Sequence, residues 1–531
     1  MMQTPADVRA RLTAAGGEFE IVEREVRGQR LAVFANQRTS LRSWLDESRG
    51  HGEREHLVDQ RRRITFAQHA DEVAAVANAL IDRGVSPGDR VAVLGANSVE
   101  WVVSFWAIIC AGGIAVAGNA WWTEREAAHA LARCAPAVVI ADAERAALVD
   151  GEVVSLDRLA DFASSAAELP DVPRDQDEPA VIMYTSGTTG HPKGAAHSHR
   201  NLLAIIEYHR LGDAILRELT GPLAPRRFLM SMPLFHIACL HNLAIPRLAT
   251  GDTVVVDQGR FDADRVLGLV ERERITNWAV VPTMAHRLLA AGLARYDLSS
   301  LSAMSVNSAP SSPALKDRVR TAIPGISASL VDSYGLTEIG TAATVASAAD
   351  LAAFPTSVGP PVATVQVEIR DGDAMPVHDG VEGEIWVRGQ FTMLGYWDDD
   401  AATAATISPD GWLRTGDLGS LIDGRLYIAA RRTDLILRGG ENVYPAEVEA
   451  VLDEHPRVIE SAVFGVDHAD LGQEVAAIVV TDLAADDLRA YTRERLAHYK
   501  VPARWRITTA PLPRTATGKV IRTRFTSRSQ D

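Results

Sequence analysis

The sequence predicts an α/β protein with a large N-terminal domain of β-sheets flanked by helices, followed by a small α+β domain. Short, continuous apolar runs alternate with segments of helical spacing, which is typical of buried parallel strands covered by helices. The pattern changes near residues 430–434. With 531 residues, the chain is too long for one ordinary hydrophobic core, so at least two domains are expected.

The regular pattern of the N-terminal domain begins with a helix and a strand. Apolar residues follow helical spacing within 67–80, and Gly84 is placed to end that helix. A Pro-Gly-Asp turn then leads into an apolar strand at 90–94. Similar apolar runs predict further strands at 137–140, 253–256, 278–281 and 328–331.

Segment 101–122 contains no charged residue and is long enough to cross a bilayer. Gly112 and Gly113 interrupt it, however, and polar residues break its uniformity. We therefore expect a buried helix, a glycine turn and a short strand here, and no membrane span.

The C-terminal unit follows a hairpin at 421–427 that turns at Asp423 and Gly424. Pro445 is suited to the first turn of a helix over 445–452. Strands are predicted at 461–464 and 475–480, and a second helix over 486–498. The expected N-terminal domain is 1–430 and the expected C-terminal domain is 435–531, with 431–434 between them.

Composition argues against several functional classes. The net charge of −15 disfavours binding to nucleic acid or to an anionic membrane. The three cysteines are far apart and lack metal-binding spacing, which is typical of a reducing compartment. Charged residues precede any apolar run at the start, so no signal peptide is expected. These features predict a cytoplasmic protein, and they leave its oligomeric state open.

Residues 185–194 are predicted to bind phosphate. Hydroxyl and glycine residues run unbroken from Thr185 to Gly190 after an apolar strand, and Lys193 follows closely. Small residues let backbone N–H groups approach an anion, while hydroxyls and lysine add donors and charge. The spacing does not fit the Walker motif, and a flexible linker is the structural alternative.

Lysine is rare, which draws attention to two of its positions. Lys and Arg total 54, yet lysine occurs four times. Lys193 closes the phosphate loop and Lys519 lies in a Thr-Gly-Lys segment, whereas Lys316 lies in a polar segment and fits a scattered residue. Polar residues also follow other predicted strands, at Ser308 and at 333–335, and we expect these loops to meet the phosphate loop at one cleft.

Further motifs occur at 233–236, 332–338, 411–417, 431–445 and 513–519. In this order, and together with the phosphate loop, they resemble the adenylate-forming acyl-CoA synthetase family, which includes peptide-synthetase adenylation domains and insect luciferases. The resemblance covers nearly the whole chain. It implies that the C-terminal domain is mobile and rotates about a hinge at 431–434.

The resemblance implies an ATP-dependent acid–thiol ligase that uses Mg²⁺ and coenzyme A. A carboxylic acid, expected to be a medium- or long-chain fatty acid, becomes an acyl-adenylate and then an acyl-CoA, with release of AMP and pyrophosphate. Apolar residues around His236, Cys239, Trp278 and Val306, without a fixed cation, favour an apolar tail. The alternatives are a ligase that loads a carrier-protein thiol, a CoA ligase for aryl or other hydrophobic carboxylates, and a non-catalytic nucleotide-binding protein.

The resemblance also implies roles for individual residues. Lys519 would bridge the carboxylate and the α-phosphate, Thr337 would donate to that phosphate, and Glu338 would hold Mg²⁺; His236 completes the catalytic set. Tyr334 would stack on adenine, Asp417 would accept from the ribose hydroxyls, and glycines at 439–440 would let CoA pass. The nucleotide- and CoA-binding residues are Thr185, Ser186, Gly187, Thr188, Thr189, Gly190, Lys193, Ser308, Ala309, Pro310, Asp332, Ser333, Tyr334, Gly335, Asp417, Arg431, Gly439 and Gly440.

Two positions depart from the family pattern. Asn307 replaces the usual glycine of the adenine loop, and asparagine tolerates a positive φ, so the loop is expected to keep its path while the side chain narrows the acyl pocket. Thr433 replaces the charged hinge residue, and Asp434 is the expected substitute.

Overall fold

The computed structural model describes residues 4–163, 168–185, 192–309, 311–431, 434–438, 441–468, 470–515 and 520–526. It has the predicted architecture of a large N-terminal α/β domain and a small C-terminal α+β domain. The α-helices are Pro5–Thr13, Leu41–Ser48, Phe66–Asp82, Val99–Cys110, Glu124–Cys134, Ala143–Ala146, Leu159–Phe162, His199–Thr220, Ile245–Thr250, Ala263–Arg272, Pro282–Ala290, Pro313–Ala322, Ala348–Ala353, Asp400–Thr406, Pro445–Asp453, Ala485–Arg493 and Thr523–Thr526.

The first large sheet contains the strands on either side of the predicted phosphate loop. Its central strands are parallel and buried, as their continuous apolar sequences predict. Beyond them the chain turns back, so that the strand after the phosphate loop is antiparallel to the strand before it. In spatial order the strands are Gly395–Tyr396, Lys193–Ser198, Pro179–Thr185, Ile114–Gly118, Arg90–Leu94, Val138–Ala141 and Val154–Ser155.

The second large sheet is parallel through its centre and antiparallel at both edges. The carboxyl ends of its parallel strands therefore meet at one edge, where open α/β sheets bind ligands. In spatial order the strands are Ala342–Ala346, Val331–Gly335, Ala303–Asn307, Asn277–Val280, Arg227–Met230, Thr253–Val256, Glu55–Val58 and Arg63–Thr65.

The remaining sheets are mainly antiparallel. An N-terminal hairpin pairs Ile21–Val26 with Gln29–Phe34. A third sheet runs through Val365–Arg370, Gly383–Gly389, Leu413–Ile422 and Arg425–Arg431 and reaches the start of the predicted hinge. The C-terminal sheet contains Glu441–Val443, Ile436–Arg438, Gly472–Val480, Glu460–His468 and Arg504–Thr508.

Most predicted elements are confirmed. The segment 101–122 forms the helix Val99–Cys110, a glycine turn and the strand Ile114–Gly118. Within the described residues, no helix combines the length and apolarity needed to cross a bilayer. The predicted hairpin at 421–427 turns where expected but has longer strands, Leu413–Ile422 and Arg425–Arg431.

Two predicted boundaries are wrong. The strand expected at 328–331 begins at Val331, because the N–H groups of Ser329 and Leu330 donate to the carbonyl of Ile326 and close a turn there. The motif 332–335 therefore lies in a strand and not in the loop after it. The second C-terminal helix ends at Arg493, where Arg495 and Leu496 donate back to Thr492 and form a turn.

Candidate active site

A cavity of about 1080 Å³ lies beside the carboxyl ends of the strands of the second large sheet. The expectation that the predicted loops meet at one cleft is correct for the residues that the structure describes. The predicted site residues that line the cavity are Thr185, Lys193, His236, Ser308, Ser333, Gly335, Thr337 and Glu338.

The predicted phosphate-binding residues that the structure describes lie at the ends of two antiparallel strands. Thr185 ends one strand and pairs with Lys193, which begins the next. Strand pairing thus brings the lysine back beside the end of the preceding strand. Its Nζ atom lies 5.1 Å from the centre of the Tyr396 ring, within cation–π range. Ser186, Gly187, Thr188, Thr189 and Gly190 lie outside the described residues, as do Pro310, Gly439, Gly440 and Lys519.

Glu338 is held in a 3₁₀ turn, Thr337–Ile339, at the cavity wall. Its Oε1 atom accepts a hydrogen bond of 2.8 Å from the Tyr396 hydroxyl. The backbone carbonyl of Thr337 pairs with Nε2 of His197 at 2.8 Å. Burial lowers the pKa of His197 to about 4, so its ring is neutral near pH 7 and Nε2 donates to that carbonyl. The turn is therefore held by two hydrogen bonds, one at the Glu338 side chain and one at the Thr337 carbonyl.

The carboxylate oxygens of Glu338 are suitable ligands for a magnesium ion that is held mainly by nucleotide phosphates. Among the described residues there is no group of three or more His, Cys, Asp or Glu that could hold a metal ion. Mg²⁺ commonly takes one or two carboxylates and fills its other positions with phosphate oxygens and water. A single carboxylate in the same cavity as Lys193 matches that pattern.

Tyr334 and Asp417 form a buried pair next to the cavity. The Tyr334 hydroxyl donates to Oδ2 of Asp417 at 2.7 Å, and the residues are 7% and 4% exposed. Their chain neighbours Ser333, Gly335 and Gly416 line the cavity. Asp417 also pairs with Arg431 across the third sheet, which places the start of the predicted hinge at this site. The Arg431 side chain lies outside the described residues.

The adenine loop differs from its prediction in one respect. Asn307 is the last residue of the strand Ala303–Asn307, and the left-handed conformation belongs to Ser308, at φ 68°. Asn307 itself does not have a positive φ, so the tolerance of asparagine for that conformation is not used here. Asn307 does line the cavity, as expected for a residue that narrows the acyl pocket. Ala309 follows Ser308 directly.

Lys316 is not a scattered polar residue, and that interpretation is wrong. Its ammonium lies 2.5 Å from Oδ2 of Asp332, and both side chains are almost fully buried. Asp332 also accepts from the Ser311 hydroxyl at 3.2 Å and from the backbone N–H of Ser333 at 2.8 Å. Burial raises the pKa of Asp332, and Lys316 opposes that rise. Both carboxylate oxygens of Asp332 are thus already engaged.

The C-terminal domain contributes to the cavity through the segment that precedes Lys519. Thr515 lines the cavity wall. Beside it, Arg514 forms an ion pair of 2.8 Å with Glu460, and side-chain exposures of 10% and 6% show that the pair is nearly buried. The segment is therefore anchored to the C-terminal sheet while it reaches the cavity.

A polar cluster lines the cavity near the helix His199–Thr220. Arg247 donates to Nδ1 of His209 at 2.8 Å, so Nε2 of that ring carries the proton and faces Oδ1 of Asn242 at 3.4 Å. Thr341 also donates to Oδ1 of Asn242. Burial lowers the pKa of His209 to about 3, so the ring is neutral. We call His209, Asn242, Arg247 and Thr341 the polar floor; all four line the cavity.

The polar floor corrects the expectation of an apolar acyl pocket without a fixed cation. Cys239 and Trp278 line the cavity as predicted, but Val306 lies in the core. Arg247 is a buried cation at the wall, 3.2 Å from Oδ2 of Asp252. Asn242 and Arg247 lie in a mainly apolar stretch of the sequence, and these two polar residues were the signal that could have indicated the polar floor.

Family sequence models match most of the chain. The model of the AMP-binding enzyme family matches residues 45–397, and that of the AMP-binding enzyme C-terminal domain matches residues 447–519. Feruloyl-CoA synthase of an Amycolatopsis species is 36% identical, over 86% of this chain and 92% of the relative. Indoleacetate–CoA ligase of Aromatoleum aromaticum is 34% identical over 90% and 96%, and a long-chain-fatty-acid–CoA ligase of Mycobacterium tuberculosis is 32% identical over 87% and 92%.

Solved structures agree with these relatives. The o-succinylbenzoate CoA synthetase of Bacillus subtilis, in complex with its acyl-adenylate intermediate, superposes with a TM-score of 0.80 at 30% identity. The match covers 93% of this chain and 99% of that chain. The same enzyme with ATP and magnesium ion superposes with a TM-score of 0.78 at 31% identity, over 90% and 98% of the two chains. The chain therefore belongs to the AMP-binding enzyme family, as an acyl-CoA synthetase of the adenylate-forming type.

Proposed function

We propose that this enzyme converts an aromatic carboxylic acid to its CoA thioester, with ATP and Mg²⁺ as cosubstrates and AMP and pyrophosphate as products. The observation that carries the proposal is the polar floor, which lies in the same cavity as Lys193 and Glu338. A similar synthetase has been solved with ATP and magnesium ion, which supports this cofactor set.

The walls near the polar floor favour an aromatic ring. Tyr208 and Phe228 contact His209 and Arg247 of the floor, and Trp278 lines the same cavity. Ring edges and faces pack well against a planar substrate. The Asn242 side-chain amide donates one N–H to the backbone carbonyl of Ile237, at 3.0 Å, and retains a second N–H donor. A hydroxyl or ether oxygen at the far end of the acid would accept from it.

The charge of the polar floor disfavours a second carboxylate on the substrate. Arg247 faces Asp252 at 3.2 Å and Asp213 at 3.9 Å, and Arg226 pairs with the same two carboxylates. Two arginines therefore balance two aspartates, and His209 is neutral. A neutral polar group suits this arrangement better than another anion, because nothing on the floor offers unbalanced positive charge.

In the first step, a carboxylate oxygen of the acid attacks the α-phosphorus of ATP and pyrophosphate leaves. We assign Lys193 to the outer phosphates, Thr337 to the α-phosphate and Lys519 to the bridge between the two reacting anions. Glu338 would hold Mg²⁺, which supplies charge neutralisation at the phosphates. Thr515 lines the cavity four residues before Lys519, which supports that role for the segment. Tyr334 and Asp417 would bind adenosine, and His236 would lie beside the carboxylate.

In the second step, the thiol sulfur of CoA attacks the acyl carbonyl carbon, AMP leaves and the thiol proton is released. We propose that the C-terminal domain, 435–531, rotates about 431–434 to bring Gly439 and Gly440 to the cavity for this step. Arg431 pairs with Asp417 in the last sheet of the N-terminal domain, which supports a hinge at this point. A carrier-protein thiol is the alternative acceptor.

A fatty acid is the second candidate substrate. Apolar residues Leu229, Met232 and Leu243 also line the cavity, and one relative is a long-chain-fatty-acid–CoA ligase.

We further propose that the reaction takes place in the cytoplasm, because Cys110, Cys134 and Cys239 are all buried and form no disulfide, as in proteins of reducing compartments.

A competition assay tests the proposal. The enzyme is given ATP, Mg²⁺, CoA and an equimolar mixture of hydroxylated and methoxylated aryl acids, plain aryl acids, dicarboxylates and fatty acids of several lengths, and the CoA thioesters are identified by mass. Hydroxylated or methoxylated aryl thioesters should dominate. Dominance of the fatty acyl-CoA products would instead support the second candidate, and adenylate without any thioester would point to a carrier-protein acceptor.

A further inference from the structure

Tyr396 contacts both residues that are proposed to handle the triphosphate and its metal ion. Its hydroxyl donates to Oε1 of Glu338 at 2.8 Å. Its ring lies under the Lys193 ammonium at 5.1 Å. Lys193 and Glu338 are 145 positions apart in the sequence, and Tyr396 touches both of them.

The backbone around Tyr396 is tied to the same two elements. Trp397 donates to the carbonyl of Gly194 and Leu394 to that of Ala196, each at 2.7 Å, so the segment pairs alongside the strand Lys193–Ser198 as an antiparallel edge strand. Met393 donates to the backbone carbonyl of Glu338 at 2.9 Å. The backbone N–H of Tyr396 donates a hydrogen bond of 2.8 Å to the Thr403 hydroxyl. The position of the ring is therefore set by backbone contacts on both sides.

We propose that Tyr396 is a positioning residue that orients Glu338 for Mg²⁺ and steadies Lys193 for the phosphates. With Oε1 held by the tyrosine hydroxyl, the second oxygen of Glu338 is left for the metal ion. The ring limits the directions that the flexible lysine can take. The inference rests on the proposed function, since it requires that Glu338 binds the metal ion of Mg·ATP.

The hydroxyl and the ring have separable effects. Tyr396→Phe keeps the ring beneath Lys193 and removes the bond to Glu338. Tyr396→Leu removes both. A tyrosine outside the cavity lining provides a matched control, because the Tyr296 hydroxyl donates to Asp264 at 2.7 Å, and Tyr296→Phe deletes the same kind of bond there.

The experiment measures binding of α,β-methylene-ATP to the full-length enzyme by calorimetry across a range of Mg²⁺ concentrations. This analogue cannot be cleaved at the bond that adenylation breaks, so the readout is independent of turnover. For Tyr396→Phe the Mg²⁺ concentration at half-maximal binding should rise about tenfold, the loss expected for a hydrogen bond to a charged group, while affinity at saturating Mg²⁺ stays near wild type. Tyr396→Leu should weaken binding even at saturating Mg²⁺, and Tyr296→Phe should match the wild type.

Other outcomes overturn the proposal. If Tyr396→Phe requires the same Mg²⁺ as the wild type, the hydroxyl does not orient Glu338. If it weakens binding by the same factor at every Mg²⁺ concentration, its role is general packing. Both results presuppose that the wild type binds the analogue in a Mg²⁺-dependent manner, and absence of such binding would instead refute the proposed function.

Discussion

Lys316→Met should destabilise the N-terminal domain by roughly 3–5 kcal/mol, the usual cost of removing one partner of a buried ion pair. The Lys316 and Asp332 side chains are only 5% and 7% exposed, and their charged atoms are 2.5 Å apart. Without the ammonium, the carboxylate of Asp332 is buried with hydroxyl and amide donors but no opposite charge. Methionine has nearly the length of the lysine stem, so little packing is lost.

Another lysine serves as the matched control. Lys500 pairs with Glu447 at 2.6 Å, but these side chains are 19% and 40% exposed. Lys500→Met should therefore cost only about 0–1 kcal/mol, as solvent-exposed pairs do. The double variant Lys316→Met/Asp332→Asn should recover most of the lost stability, because the asparagine keeps an acceptor but carries no charge.

The pH dependence gives a second readout. Burial raises the pKa of Asp332 in the folded protein, and loss of Lys316 removes an influence that lowers it. A carboxyl whose folded pKa exceeds its unfolded pKa favours folding at low pH, and that contribution is lost as pH rises through the folded value. The deficit of Lys316→Met should therefore be smaller near pH 5 than near pH 8. Urea unfolding, followed by tryptophan fluorescence, measures the free energy of unfolding of each variant at each pH. The reasoning would be refuted if Lys316→Met and Lys500→Met lost equal stability, or if the stability lost by Lys316→Met grew on acidification.

The remaining predictions concern the two half-reactions and the acid. Lys519→Ala should abolish adenylation, measured as pyrophosphate release, but leave thioester formation from supplied acyl-adenylate largely intact; equal loss in both would contradict a role in the first step alone. Gly440→Leu should do the reverse, so that acyl-adenylate accumulates without acyl-CoA, whereas normal CoA turnover would exclude Gly440 from the CoA passage. Asn242→Leu should raise KM for hydroxylated aryl acids about tenfold, by loss of a hydrogen bond, and leave KM for unsubstituted acids little changed; equal effects on both acid classes would remove Asn242 from substrate recognition.

Motifs made of consecutive residues were predictable from the sequence. The runs 185–194 and 332–338 combine strand, turn and charge within a few residues, so their local chemistry is visible without a structure. The strand Arg90–Leu94 and the helix–turn–strand unit of 101–122 were predictable for the same reason. The start of the strand at Val331 was not, because it depends on a turn closed by Ile326 and not on hydrophobicity.

Contacts between distant segments were not predictable. Tyr396 reaches Glu338 only because its strand pairs with 193–198, about two hundred positions earlier, and no local pattern encodes that pairing. Lys316 carried a signal in the rarity of lysine, but its partner Asp332 could be identified only once the helix Pro313–Ala322 was placed against the sheet. Arg247 is similar for one of its two neutralising aspartates, since Asp213 lies in the separate helix His199–Thr220.

The two ends of the cavity are held by different means, and this bears on how acid specificity can vary. Strand pairing and backbone hydrogen bonds position the chain at Lys193 and Glu338, and the Tyr396 side chain contacts both residues. The polar floor depends instead on side-chain contacts among His209, Asn242 and Arg247. If the floor binds the acid as proposed, replacing His209, Asn242 or Arg247 should alter which acid fits and leave Lys193 and Glu338 in place, because the two groups share no hydrogen bond in the described residues. This division is consistent with relatives that are named for aryl, indolyl and fatty acids within one family of AMP-binding enzymes.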